Sequence, residues 1–112
     1  MSGARHRRKG DRCEREIVAL HLAIGVHSER VPLSGASRYQ GNGADIDIYV
    51  HGRDAAPLCC EVKSRKSGNG FIQLENWLGE NDVLFLRRNN ADPLVILPWA
   101  VWAAVITKVP RP

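Results

Sequence analysis

Asp45-Ile-Asp-Ile-Tyr-Val50 and Leu58-Cys-Cys-Glu-Val-Lys-Ser-Arg65 are the two stretches on which the reading of this chain turns. The first alternates polar and apolar residues, the period of a half-buried strand. Gly52-Arg-Asp54 makes a turn, so the second stretch is the hairpin partner of the first. Side chains alternate faces along a strand, so Asp45 and Asp47 share one face. By the same rule Glu61 and Lys63 project together, while Val62 points the other way, toward a core. The hairpin lays the two polar rows side by side and gathers two or three carboxylates and one ammonium on a sheet. Carboxylates at close range repel, and burial sharpens the repulsion. A divalent cation relieves it, and an oxygen-only donor set suits Mg²⁺, with Mn²⁺ as a substitute. Such an ion lowers the pKa of a bound water and offsets charge on a phosphodiester. Lys63 is placed to orient that water or to stabilise developing negative charge. The residue types fit phosphodiester hydrolysis. An ordinary solvated Glu-x-Lys pair on an exposed strand uses the same residues.

Outward from this hairpin the pattern changes period. Cys13, Ile17, Val18, Leu20 and Ile24 recur at helical spacing, which predicts a helix from about Asp11 to Ile24. Asp11 is its expected N-cap, with Glu14 three residues on, and Gly25 its stop. Val31–Ala44 is rich in Ser and Gly and reads as a long loop, into which a short strand can lead. After Ser67-Gly-Asn-Gly70, a short helix over Phe71–Leu78 is stopped by Gly79. Val83–Leu86 is a continuous apolar strand, hence expected to be buried. Asn89–Pro93 is a turn, Leu94–Leu97 a strand, and Trp99–Ile106 a last helix. The order α-β-β-α-β-β-α predicts an α/β fold, a central mixed sheet of about four to five strands flanked by helices. Residues 1–9 read as a flexible basic arm, 10–108 as one domain and 109–112 as a tail.

The chain has 112 residues, 44% hydrophobic and 25% charged, ordinary for one globular domain. No apolar run approaches the ~20 residues of a membrane span, and the first residues carry no secretory h-region. A cytoplasmic protein without membrane contact is expected. The three cysteines, two of them adjacent, suit neither a disulfide framework nor a zinc site. Net charge is +4, with basic groups at Arg5–Arg15, at Lys63–Lys66 and at Arg87–Arg88. That distribution permits nucleic-acid binding, though a charge run is commonly a solvated face. The four histidines share no spacing. Trp77, Trp99 and Trp102 sit among apolar residues, as core or interface side chains do.

Three stretches resemble the PD-(D/E)XK nuclease superfamily and, within it, the archaeal Holliday junction resolvases. Lys9-Gly-Asp-Arg-Cys-Glu-Arg-Glu-Ile17 is similar to that family's opening helix, whose first glutamate belongs to the active site. Arg30 with Ser34-Gly35 resembles the Arg and Ser-Gly loop before the metal-binding strand. Asp47-Ile-Tyr-Val50, a turn and Leu58–Lys63 resemble the strand pair ending in Glu-Val-Lys. The likeness covers roughly residues 9–66. It implies a single restriction-endonuclease-like domain and a Mg²⁺-dependent DNA endonuclease acting as a homodimer, on DNA that includes branched forms. It implies Glu14, Asp47, Glu61 and Lys63 as catalytic residues, with Asp47 and Glu61 on the metal. Asp45 competes with Asp47 for the motif position and stands as a further ligand, since Asp47 has the better spacing to Glu61. Ser34 and Gln73 are additional site positions. Arg7, Arg8, Lys9, Arg12, Arg30, Arg38, Arg65 and Lys66 are expected on DNA. The loop between Ser34 and Ala44 is longer than in the resolvase pattern, which leaves two alternatives: a phage or restriction/repair-type nuclease of the same superfamily, and a non-catalytic DNA-binding module on that fold.

Overall fold

The computed structural model describes residues 2–31, 45–66 and 68–110, with the side chains of residues 2–9 outside that description. Ser34, Arg38 and the Ser-Gly-rich loop therefore lie outside the described residues. The chain divides into two compact units, residues 1–64 and 65–112. Among the described residues no helix is long and apolar enough to cross a membrane.

The first unit opens with α1, Ser2–Ala23. The helix runs straight through the segment expected to be a loose arm, so Asp11 lies inside it and caps nothing. Ala, Arg and Lys are good helix formers, and Gly10 costs only about 1 kcal/mol against Ala. Gly25, at φ 83°, stops the helix as expected. The Val26 N–H then reaches back to the His21 carbonyl at 3.0 Å. Three short strands follow: β1, Ser28–Arg30; β2, Ile46–Ile48; and β3, Leu58–Cys60. They form an antiparallel sheet in the order β1-β2-β3. α1 packs on β1 and β2. Ile46 is fully buried, and Val26, Val31 and Ile48 are buried with it.

The second unit contains α2, Asn69–Leu78; β4, Leu84–Leu86; β5, Leu94–Ile96; and α3, Trp99–Thr107. β4 and β5 pair antiparallel as a separate two-stranded sheet. The described strands thus form two small antiparallel sheets, and the single mixed sheet expected from the element order is not found. Every described strand pair is antiparallel. The β4 strand is not buried either. Phe85 is 67% exposed, because β4 has one partner strand and its side chains alternate outward. Trp77 is exposed, Trp99 and Trp102 are half-buried, and Val101 is the buried residue of α3.

Candidate active site

The middle strand sets the geometry. β2 is flanked on both sides, and Asp47 at its centre is 1% exposed. Its cross-strand partners are Glu29 on β1 and Cys59 on β3. Alternation puts Glu29, Asp47 and Cys59 on one face of the sheet. Beyond the last pair the regular register is lost: the Asp45 N–H donates to the carbonyl of Cys60, which is already the partner of Ile46, at 3.0 Å.

Glu61, Val62 and Lys63 lie just beyond β3 rather than within it. The ladder stops because β2 itself begins at Ile46. The Val62 N–H, which a longer partner strand would have taken, instead donates to Asp45 Oδ2 at 2.7 Å. Asp45 therefore fixes the point where the chain leaves the sheet. Past it, Glu61 and Lys63 are exposed and paired, with Lys63 Nζ 3.1 Å from Glu61 Oε2.

Glu14 is placed differently. Its Oε1 accepts from Arg30 Nε at 3.1 Å, and Arg30 Nη2 also donates to Asp11 Oδ1 at 2.8 Å. Arg30 points to the side of the sheet that carries Ile46, facing α1, since it alternates with Glu29. Arg30 is thus engaged in fastening α1 to β1. Arg30→Gln is expected to lower stability by about 1–2 kcal/mol, through loss of charged hydrogen bonds that are only partly solvent-screened. Urea denaturation checks this, and an unchanged midpoint would mean the pairs hold nothing.

Two residues at this face escaped the sequence reading. His27 Nε2 donates to Glu29 Oε2 at 2.8 Å, and the His27 ring lies 5.3 Å from that of Tyr49. The cue was the His-x-Glu alternation before Arg30, but a three-residue polar strand has no hydrophobic period to reveal it. Gln73 lies exposed on α2, and Arg65 and Lys66 are exposed in the second unit. Arg12 is exposed on α1.

Cys13, Cys59 and Cys60 are free and half-buried. Burial pushes the Cys60 thiol up to about 11 from 9.0, and the neighbouring Cys59 and Asp47 add to the rise. The sign follows from the proton. Below pH 9 the thiol is protonated whether the chain is folded or not. Between about 9 and 11 the unfolded chain loses the proton first, so Cys60 removes stability as pH rises across that window. Iodoacetamide at pH 8 is accordingly expected to leave Cys60 the least modified cysteine in the folded protein, read by peptide mass mapping. Rapid labelling of Cys60 would contradict its burial.

Among the described residues no three acidic, histidine or cysteine side chains converge as a ready-made metal site. The donor chemistry nonetheless suits a hard cation. Asp47 offers carboxylate oxygens on β2 and Glu61 just past the end of β3, and Mg²⁺ commonly takes one or two carboxylates, with water and substrate phosphate completing its shell.

α1 thus packs on antiparallel strands, with Asp47 on β2 and Glu61-Val62-Lys63 just past the end of β3. The model of the family described as "Phage putative PDDEXK endonuclease" matches residues 5–110, and the chain belongs to that family. The match supports the superfamily expected from the sequence; it does not reach the resolvase branch. Comparisons with curated proteins and with solved structures find no match.

Proposed function

We propose that this protein is a divalent-metal-dependent DNA endonuclease of the phage PD-(D/E)XK type, with its chemistry at Asp47, Glu61 and Lys63. The observation that supports this is the pairing of the buried Asp47 with Cys59, two residues before the exposed Glu61–Lys63 ion pair that follows the end of β3. Asp47 and Glu61 would hold Mg²⁺ or Mn²⁺. When bound, the ion supplies water activation and charge neutralisation at the phosphate. In the hydrolysis a water oxygen forms a bond to phosphorus, the bridging P–O bond breaks, the water gives up a proton and the leaving oxygen gains one. Lys63 would stabilise the charge that builds on the phosphate oxygens. Asp45 holds the backbone at Val62 and so sets where Glu61 and Lys63 lie. Glu14 serves in this reading through Arg30, as the tie between helix and sheet.

The test is cleavage of linear duplex, four-way junction and single-stranded DNA with Mg²⁺ or Mn²⁺. Cutting of linear duplex supports the phage-type reading that the family match favours. A strict preference for the junction would instead support the resolvase-like reading, which rests on the resemblance over residues 9–66 and implies a homodimer. Tight DNA binding without cleavage in either ion would favour the non-catalytic module.

A further inference from the structure

We infer that the hollow beside the β4–β5 turn binds a nucleotide whose base is unstacked, and that it prefers bases carrying an exocyclic amino group. The inference rests on the nuclease reading only for the source of that nucleotide, an unpaired position in DNA.

The hollow lies wholly within the second unit. β4 and β5 end at the Leu86–Leu94 pair, and residues 87–93 close the turn. Two bonds fix its backbone. The Ala91 N–H donates to the Arg88 carbonyl at 3.2 Å, and Arg87 Nε donates to the Ala91 carbonyl at 3.0 Å. Asn90 takes φ 63°, in the left-handed region that Asn tolerates. Pro93, with its fixed φ, leads into β5. The turn is thus shaped before a ligand arrives. Beside it lies a cavity of about 400 Å³, lined by Leu86, Arg87, Arg88, Ala91, Asp92 and Leu94. That volume falls within the range of small-molecule sites.

The lining combines three chemistries. Leu86, Ala91 and Leu94 supply apolar surface, and Leu94 is 67% exposed. Arg87 and Arg88 are exposed cations. Arg87 is pinned through Nε, which leaves its terminal nitrogens as donors held beside the turn. Asp92 is an exposed carboxylate. Neither the Arg88 nor the Asp92 side chain forms a hydrogen bond or ion pair with a described residue.

A simple anion suits this lining poorly, because Asp92 repels what the arginines attract. A purely apolar ligand would leave all three charges idle. A nucleotide answers each group at once. Its phosphate meets Arg88 and the terminal nitrogens of Arg87, and its ring lies on the apolar side chains. The N–H donors of an exocyclic amino group meet the Asp92 carboxylate, as acids do on cytosine. Within a duplex the ring faces are stacked, so the hollow takes a nucleotide that is out of the stack. Thymine has no exocyclic amino group and is the disfavoured base.

The test titrates the full chain, in EDTA at neutral pH, with short oligo-dC, oligo-dT and a blunt duplex. Far-UV circular dichroism confirms folding of each variant. Oligo-dC is expected to bind about tenfold tighter than oligo-dT, the scale of one hydrogen bond to a charged group. D92A is expected to abolish that difference and to leave duplex binding no weaker. R88Q, which keeps the Arg87–Ala91 bond, is expected to weaken both strands and to reduce the slope of log K against log[salt] by about 0.7, and R88K to restore the slope. R15Q, an equal loss of charge in the first unit, is expected to leave the slope unchanged. Equal binding of oligo-dC and oligo-dT by the wild type, a dC preference that survives D92A, or an equal drop in R15Q each overturns the site. Competition by dCMP separates the sources: displacement of oligo-dC by strands alone assigns the site to DNA, and displacement by dCMP assigns it to free nucleotides. Mg²⁺ cleavage is scored separately. A dC preference that depends on Asp92, without any cleavage, would sink the nuclease reading and leave the hollow standing; cleavage with no dC preference would do the reverse.

Discussion

Glu61→Gln and Lys63→Met are each expected to lower DNA cleavage by about 10²–10³-fold, the scale seen when a preorganised charge at a reacting centre is removed. The reason is geometric as well as chemical. Glu61 and Lys63 have side chains 55% and 61% exposed, so neither supports the core. Their mutual ion pair, in water, contributes only about 0–1 kcal/mol to stability. A variant that keeps its denaturation midpoint but loses its cleavage has therefore lost chemistry, not fold. Steady-state cleavage and urea denaturation on the same preparations check both halves. If the two variants cut at wild-type rate, the Glu61–Lys63 pair is a solvated surface contact and the reaction belongs elsewhere. Asp47→Asn is a harsher probe, because Asp47 is buried and its loss would mix site and packing effects.

Ile46→Ala is expected to be the most destabilising single truncation in the first unit. Ile46 has no exposed surface and sits in the middle strand beside Asp47. Truncating a fully buried Ile typically costs about 2–5 kcal/mol, through lost transfer energy and the cavity left behind. Domains of this size hold only about 5–15 kcal/mol in total. The urea midpoint should therefore fall sharply with little change in slope. Cleavage should fall with it where the folded fraction drops, because Asp47 is held by the same strand. A loss below about 1 kcal/mol would mean that α1 and the sheet do not share a core through Ile46.

Much of this architecture was readable residue by residue. The helix stop at Gly25 followed from a residue that tolerates positive φ, and the β2–β3 hairpin from alternation and the Gly52 turn. α2, β4, β5 and α3 lay close to their expected bounds, since each is a local pattern between glycines and prolines. Asp47, Glu61 and Lys63 were singled out by strand alternation together with the likeness to the superfamily's strand pair. The helix start was misread, because a cluster of arginines looks like a solvated arm when no apolar residue marks its period. The burial of Val83–Leu86 was misread for the opposite reason: a continuous apolar run says nothing about how many partner strands it finds.

Local sequence alone thus determined most of the segments that become helix or strand, because that depends on neighbours within a few residues. Only the tertiary structure decided that Glu29 and Cys59 flank Asp47, that Arg30 binds Glu14 and Asp11, and that the third strand ends at Cys60 with Asp45 holding Val62. Those contacts join residues 12 to 19 positions apart, and their energy exists only once helix and strands have come together.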